Sequence, residues 1–294
     1  MTFIDRLESS IREKQNPCLV GLDPHLSMLP DEFSAARDES KSNEERAGAV
    51  GDFCYEVIDL VSEQAPAVKP QSAFFEVLGS AGAAAWERVV RHAKERGLIV
   101  IGDVKRGDIG STSAAYARAF LDGDAPCDAI TVNPYFGTDG LDPFFEVCRE
   151  RGAGLYLLVR TSNPSSARLQ LHGEPPLCEI VAQDTARWGE DHLGACGLSN
   201  IGAVVGATHT DELARLRSLM PKTPFLLPGY GAQGGGSSGL AAGFIDGTRG
   251  AIINNSRGLL FASKKPEYAG QSWQAALQSA LSAMIADIGQ ALPV

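Results

Sequence analysis

Short apolar runs recur along the whole chain, and longer amphipathic stretches separate them. The runs are apolar throughout rather than alternating with polar residues, which is typical of parallel strands buried on both faces. The predicted strands cover residues 18–22, 66–70, 98–105, 129–134, 154–160, 201–207, 224–229 and 250–256. Apolar positions at helical spacing predict helices between them, among others over residues 44–63, 112–121, 139–151, 178–192 and 211–220. Asp211 stands at the expected cap of the last of these helices.

Eight strands that alternate with helices predict an α/β protein, specifically a (β/α)8 TIM barrel. A doubly wound open sheet is the alternative that this alternation leaves open. The length of 294 residues would allow two domains, but α/β barrels of about 250 residues are single domains. We therefore expect one domain over residues 1–294, with a helix of about residues 2–14 closing the end of the barrel opposite its site.

Two insertions lengthen the connections after predicted strands. Residues 24–43 separate the first strand from its helix, and residues 163–177 follow the fifth strand. Both would lie at the carboxyl ends of strands, the face on which barrel enzymes keep their active sites. No chemistry can be assigned to either insertion from its residues.

The charge balance limits the partners of the protein. The chain has 26 Lys and Arg residues against 36 Asp and Glu residues, a net charge of −10. Such an acidic surface repels phosphate backbones, so we expect no nucleic acid partner. No apolar run reaches the roughly 18 residues of a membrane span, and the amino terminus lacks an apolar signal core, so we expect a cytoplasmic protein without a membrane partner. The six cysteines have neither C-x-x-C nor zinc-type spacing and are interpreted as reduced, mostly buried thiols.

Charged residues interrupt the ends of the first three predicted strands. Asp23 ends the first, Lys69 lies in the second, and Asp103, Lys105 and Asp108 follow one another at the end of the third. Because side chains repeat every two residues along a strand, Asp103 and Lys105 should share one side, near Lys69. Buried lysines and carboxylates are rarely unpaired, so an alternating array of ammonium and carboxylate groups is expected at the barrel mouth. A purely structural ion-pair network and a Schiff-base lysine are the alternatives, although pairing to carboxylates would hold the amine protonated.

A second polar cluster follows the last two strands. P-G-Y-G-A-Q-G-G comes after the seventh strand, and N-N-S-R-G ends the eighth. These loops often form a phosphate site in barrels, where glycines let backbone N–H groups approach and Arg257 offers a bidentate fork. A flexible loop beside a surface arginine is the alternative. The five histidines share no metal-ligand spacing, and no dinucleotide fingerprint opens a helix, so we expect neither metal nor cofactor.

The D-x-K-x-x-D segment of Asp103, Lys105 and Asp108 resembles the catalytic segment of orotidine 5′-phosphate decarboxylases. P-G-Y-G-A-Q-G-G and the arginine after the last strand are similar to that family as well. G-L-D-P, V-K-P-Q with F-F-E, and R-T-S-N-P resemble its longer bacterial (type 2) branch. The resemblance runs in the right order from about residue 18 to residue 260. D-x-K-x-x-D alone is less specific, because metal-dependent sugar-phosphate aldolases of the same superfamily share it.

The resemblance implies decarboxylation of orotidine monophosphate to uridine monophosphate and carbon dioxide in de novo pyrimidine biosynthesis, without cofactor or metal. Lys105 would protonate the ring carbon as carbon dioxide leaves. Asp103 would lie against the substrate carboxylate and hold Lys105, and Lys69 would complete the array. Asp108 would enter it from the partner subunit, so the resemblance also implies a homodimer with shared active sites.

The resemblance also implies a set of substrate-binding residues. They are Asp23 and Lys69 at the ribose, Thr112 reaching the ribose from the other chain, Ser162 at the pyrimidine, and Gln233 and Arg257 at the phosphate. Ser256 departs from the pattern, because shorter family members usually have glycine there, and only its backbone N–H is expected to meet the phosphate. A metal-dependent sugar-phosphate aldolase and a non-catalytic phosphate-ligand sensor remain as alternative functions.

Overall fold

The computed structural model describes residues 1–206, 210–230 and 239–292. Its parallel strands pair in chain order, and the first strand pairs with both the second and the eighth, so the sheet closes on itself. The predicted (β/α)8 barrel is therefore confirmed, and the open-sheet alternative is wrong. The strands are β1 (Cys18–Leu22), β2 (Ala67–Pro70), β3 (Ile99–Arg106), β4 (Ala129–Val132), β5 (Gly154–Arg160), β6 (Ile201–Val205), β7 (Phe225–Pro228) and β8 (Ala251–Asn255).

Helices follow the strands and cover the outside of the barrel. In the described ranges they are α1 (Phe3–Lys14), α2 (Asn43–Val61), α3 (Ala73–Glu76), α4 (Gly79–Glu95), α5 (Gly110–Leu121), α6 (Thr138–Arg151), α7 (Ala167–Gln170), α8 (Leu177–Gly189), α9 (Thr210–Leu219), α10 (Arg257–Leu260) and α11 (Trp273–Ala291). The cap predicted at Asp211 is wrong, because α9 begins at Thr210 and Asp211 lies within its first turn. A carboxylate there still interacts favourably with the amino-terminal end of the helix dipole.

The core consists of two apolar layers. The larger lies between the strands and the surrounding helices. The smaller fills the inside of the barrel, where strand residues such as Leu19, Ile101 and Ile252 pack with Phe3 and Leu7 of α1. All of these side chains are buried, and the removal of apolar surface from water is the main stabilisation of such a core.

Helix α1 lies across the amino-terminal end of the barrel. The Phe3 amide donates to the Gly152 carbonyl at 2.7 Å, and the Ile4 amide donates to the Asn200 side chain at 3.0 Å. Arg6 pairs with Asp128 at 2.7 Å. The three partner residues precede β5, β6 and β4. These contacts leave the carboxyl-terminal end as the open end of the barrel.

The two insertions flank that open end. The first forms short 3-10 turns at Leu26–Met28 and Asp31–Arg37, and the Trp273 indole of α11 donates to Glu32 at 2.6 Å. The second contains α7 and is held by Arg160, whose guanidinium donates to Ser166 at 2.6 Å. All six cysteines are free thiols. No helix in the described ranges is long and apolar enough to span a membrane.

Candidate active site

Charged side chains from three neighbouring strands meet at the open end of the barrel. The Lys69 ammonium of β2 lies 2.6 Å from Asp103 Oδ2 of β3 and 3.9 Å from Asp23 Oδ1 beyond β1. The Lys105 ammonium contacts the other oxygen of Asp103. The structure therefore brings together Asp23, Lys69, Asp103 and Lys105, with Asp103 between the two ammonium groups.

Two further side chains hold Asp103, and neither was predicted from the sequence to do so. Gln71 donates to Asp103 Oδ2 at 2.9 Å, and the Thr131 hydroxyl of β4 donates to Oδ1 at 3.0 Å. Each oxygen of this carboxylate thus accepts from one ammonium and one neutral donor, which matches its capacity of about four hydrogen bonds. The available signals were two polar residues, Gln71 directly after the second apolar run and Thr131 inside the fourth.

Lys105 reaches Asp103 through an irregular strand. Gly102 pairs with Ile130 and Arg106 pairs with Val132, so β3 advances by four residues where β4 advances by two. Lys105 has φ 43°, a left-handed conformation that side chains rarely adopt. The expected juxtaposition of Asp103 and Lys105 is therefore present, but the reason given for it, regular two-residue alternation, is wrong. A β-bulge, which re-aims side chains, is the physical reason.

The ion pairs decide the protonation states. Burial alone would raise the pKa of Asp103, but the ammonium groups of Lys69 and Lys105 outweigh it and lower the pKa to about 2. Burial would lower the pKa of Lys69, but the carboxylates of Asp103 and Asp23 raise it above its ordinary value. Both groups are therefore ionised at neutral pH, and the array places fixed charges at the barrel mouth.

The array borders a cavity of about 450 Å³. Leu158, Val204 and Leu226 form an apolar wall, and Ser162 lies at its edge. Asp23 Oδ1 and Asn254 Oδ1 are buried in this region and have no hydrogen-bond partner among residues 1–206, 210–230 and 239–292. Because a buried oxygen without a hydrogen bond is costly, these two atoms are suited to accept hydrogen bonds from a bound ligand. The site can hold a small ring with polar substituents.

A second cavity, of about 890 Å³, adjoins the first. Asp23 and Asn254 line both cavities, and Gly229, Ser256 and Arg257 line the second. The Ser256 hydroxyl accepts from the Asn254 side-chain amide at 3.3 Å, and Arg257 is exposed. Gln233, predicted beside Arg257, lies outside the described residues.

Two predicted site residues are not in the cavity of their own chain. Asp108 is half-buried in the turn after β3, where its Oδ1 accepts from the Ile109 amide at 2.8 Å. Thr112 is exposed on α5. Neither side chain lines the cavity that contains Lys105. The resemblance had assigned both to the neighbouring subunit.

The described residues provide no set of ligands for a metal ion. No three of their His, Cys, Asp and Glu side chains are grouped so that they could hold a metal ion. The carboxylates nearest the cavity, Asp23 and Asp103, instead face the Lys69 ammonium. The aldolase alternative therefore has no supporting observation in this part of the chain.

Comparison with known proteins gives one consistent family. A family model described as Orotidine 5′-phosphate decarboxylase / HUMPS family matches residues 19–272. The chain is 42% identical over 293 residues to orotidine 5′-phosphate decarboxylase of Rhodopirellula baltica, covering 95% of this chain and 96% of that protein. It is 39% identical to the Clostridium tetani protein of the same name, covering 90% of each. Leishmania donovani OMP decarboxylase has a similar structure, with a TM-score of 0.77, 32% identity and 100% of both chains covered.

Proposed function

The chain belongs to the orotidine 5′-phosphate decarboxylase family, and we propose which of its residues perform the reaction. Its activity is the decarboxylation of orotidine 5′-phosphate in pyrimidine biosynthesis. The array of Lys69, Asp103 and Lys105 beside the cavity is the observation that carries the assignment. Uridine 5′-phosphate and carbon dioxide are the proposed products.

Lys105 is the proposed acid. When the bond between the ring carbon and the carboxyl group breaks, its electron pair stays on the ring carbon and carbon dioxide leaves. The Lys105 ammonium then gives a proton to that carbon, and the neutral amine regains a proton from water. A fixed ammonium beside the developing negative charge is the kind of preorganised group that lowers such a barrier. Its side chain is 47% exposed while pairing with Asp103, so it can turn toward a bound ring.

Asp103 and Lys69 keep this ammonium in place. With a pKa of about 2, Asp103 is ionised and holds Lys105 on one oxygen. Lys69 neutralises the other oxygen, so the carboxylate can face the substrate carboxylate without being protonated. Release of that carboxylate as neutral carbon dioxide removes the repulsion, which favours the transition state over the bound substrate.

The remaining residues bind and orient the substrate. Asp23 and Lys69 would hold the ribose, Ser162 the pyrimidine, and Arg257 the phosphate together with Gln233. Asp23 and Lys69 lie next to the array, while Arg257 lines the adjoining cavity. Binding energy from the distant phosphate can therefore orient the ring at Lys105. Ser256, at the start of α10, is proposed to offer its backbone N–H.

A homodimer is the proposed assembly. Ile109, Tyr135 and Phe136 are exposed large apolar side chains. Ile109 directly follows Asp108, and Phe136 lies near Asp108, since Gly140 is close to both the Asp108 carbonyl and Phe136. Exposed apolar patches mark interaction surfaces. A second copy placed on this patch by a two-fold axis would cover it and bring Asp108 and Thr112 to the other site.

The reducing cytoplasm is the proposed location, because the six free cysteines suit that compartment. A non-catalytic sensor would not require an ammonium that contacts a fully hydrogen-bonded carboxylate at the cavity. Independence from metal and cofactor is likewise proposed, and it is checked by adding a chelator to the assay below.

Substitution of Lys105 tests the proposed function. We expect the purified protein to consume orotidine 5′-phosphate in the presence of a chelator, followed by ultraviolet absorbance, and Lys105→Ala to remove turnover while the protein stays folded. Lys41→Ala is the matched control, because it removes an exposed lysine paired with Glu45 and should leave turnover unchanged. More than a few per cent of activity in folded Lys105→Ala would show that Lys105 is not the acid.

A further inference from the structure

We infer that Thr131 is a positioning residue, whose hydroxyl fixes the Lys105 ammonium for proton transfer. The inference rests on the proposed role of Lys105 as the acid. Thr131 belongs to β4 and is 1% exposed. It lines the cavity that also contains Asp103 and Lys105.

The Thr131 hydroxyl contacts both Lys105 and its partner. It accepts a hydrogen bond from the Lys105 backbone amide at 2.9 Å, and it donates one to Asp103 Oδ1 at 3.0 Å. That same oxygen accepts from the Lys105 ammonium. One hydroxyl therefore holds the backbone of Lys105 and orients the carboxylate that holds its side-chain end.

The irregular backbone of β3 explains why a side chain is needed at this point. Pairing of β3 with β4 is interrupted between Gly102 and Arg106, so the Lys105 amide donates to a hydroxyl rather than to a carbonyl of the neighbouring strand. Lys105 has a positive φ of 43°, a conformation that persists in non-glycine residues only where the surroundings enforce it. Thr131 stabilises this conformation by accepting a hydrogen bond from the Lys105 amide.

Loss of the hydroxyl would affect position rather than charge. Asp103 would keep both ammonium partners and Gln71, so the ion pairs would remain. The Lys105 amide would lose its acceptor, and the bulged backbone would be free to relax toward an ordinary strand conformation. The ammonium would then point less accurately at the reacting carbon, and even a displacement of about 1 Å can slow a reaction about 100-fold.

Thr131→Val is the direct test, because valine keeps the branched shape and removes only the hydroxyl. We expect the single-turnover rate at saturating orotidine 5′-phosphate to fall between about 10- and 100-fold. KM and the dissociation constant of uridine 5′-phosphate should change by less than about threefold, since the cavity wall is preserved. Thr131→Ser restores a hydroxyl and should return the rate to within about threefold of the unmodified protein.

Thr185→Val is the matched control. Thr185 is fully buried in α8, outside the cavity, and donates within its helix to the Val181 carbonyl at 2.7 Å. This variant should show a comparable change in thermal stability and an unchanged rate. If Thr131→Val does not fold, Thr131→Ala provides a second side chain without a hydroxyl, measured in the same way.

Three results would overturn the inference. They are an unchanged rate in Thr131→Val, a Thr131→Ser variant as slow as Thr131→Val, and a rate loss that merely follows a loss of folded protein. The Lys105→Ala variant distinguishes a failure of the Thr131 inference from a failure of the proposed function. An inactive Lys105→Ala beside a fully active Thr131→Val would reject only the role of Thr131, whereas an active Lys105→Ala would reject the assigned acid.

Discussion

At the amino-terminal end of the barrel, the buried carboxylate of Asp128 accepts from the Val100 backbone amide at 2.8 Å and pairs with Arg6 at 2.7 Å. At the carboxyl-terminal end, the equally buried carboxylate of Asp103 accepts from four side chains and, within the described residues, from no backbone group. Both carboxylates are paired with cations, as burial requires. Asp128 links two segments of the fold, whereas Asp103 positions the ammonium groups of Lys69 and Lys105 at the cavity.

Buried polar side-chain atoms at the two ends of the barrel also differ in their hydrogen bonding. The buried Oδ1 atoms of Asp23 and Asn254 have no hydrogen-bond partner in the described part of the chain, and both residues line the cavities at the open end. Under α1, the buried side chain of Asn200 is satisfied by the Ile4 amide and the His192 carbonyl. Arg106 Nε, Ser113 Oγ and the Tyr156 hydroxyl are also buried without a partner among the described residues, and Tyr156 packs beside Phe3 inside the barrel. The open end thus presents two buried oxygens to its cavities, whereas the Asn200 side chain at the amino-terminal end is satisfied within the fold.

The largest effect is expected from an experiment that tests whether two subunits share residues in one active site. Only the open end of the barrel should show such sharing. Inactive Lys105→Ala and Asp108→Ala proteins are mixed and allowed to exchange subunits. If Asp108 serves the partner's site, each mixed dimer has one site with both lesions and one with neither. With random exchange about half of the dimers are mixed, so about a quarter of all sites should regain activity.

The control for this experiment mixes Lys105→Ala with Asp103→Asn. Both residues act in one chain, so every site of the mixed dimer keeps one lesion and no activity should return. If mass measurements confirm exchange and the first mixture also stays inactive, Asp108 acts within its own chain.

A smaller effect is expected at the adjoining cavity. Arg257→Ala removes the proposed phosphate fork, and we expect affinity for orotidine 5′-phosphate to fall about 100-fold, since hydrogen bonds to charged groups contribute about 1.5–3 kcal/mol each. Affinity for the nucleoside without phosphate should hardly change. Arg215→Ala is the control, because it breaks an exposed pair with Glu179 on the outer helices. Equal losses for both ligands would show that Arg257 does not bind the phosphate.

The smallest effect concerns acid stability. The pKa of Asp103 is about 2 in the folded protein, below its ordinary value of about 3.9 when unfolded. Between these values the unfolded chain binds more protons, so the free energy of unfolding should rise with pH from about 2 to about 4, by no more than about 2 kcal/mol from this group. Urea unfolding at stepped pH measures this slope, and Asp103→Asn should reduce it. An identical slope in the variant would contradict the pairing of Asp103.

The sequence was sufficient to predict the barrel, because buried parallel strands form continuous apolar runs. It also indicated Asp23, Lys69, Asp103 and Lys105, since charges at strand ends of a barrel must meet at one face. No bounds were predicted for α4 or α11. Helix α4 begins with glycine and small residues, and α11 is an alanine-rich helix with no charged residue in either terminal turn.

Other features of the site could not be predicted from the sequence. The sequence contains no signal for a positive φ at a lysine, so the bulge at Lys105 was not predicted. Threonine is an ordinary residue for a strand, so its presence in β4 did not indicate this role. The positioning role proposed for Thr131 depends on the bulge. The proposed positions of Asp108 and Thr112 in an active site would depend on a second chain, so patterns within one chain do not locate them.

Two matched substitutions test most directly whether chemistry resides at the open end alone. Asp103→Asn and Asp128→Asn each remove one buried, cation-paired carboxylate from the same barrel, and each should cost about 1–3 kcal/mol of stability. Turnover of orotidine 5′-phosphate is then measured per folded molecule. We expect Asp103→Asn to lose more than about 1000-fold in kcat and Asp128→Asn to stay within about twofold of the unmodified protein. Similar kcat values in the two variants, whether both normal or both low, would contradict the account.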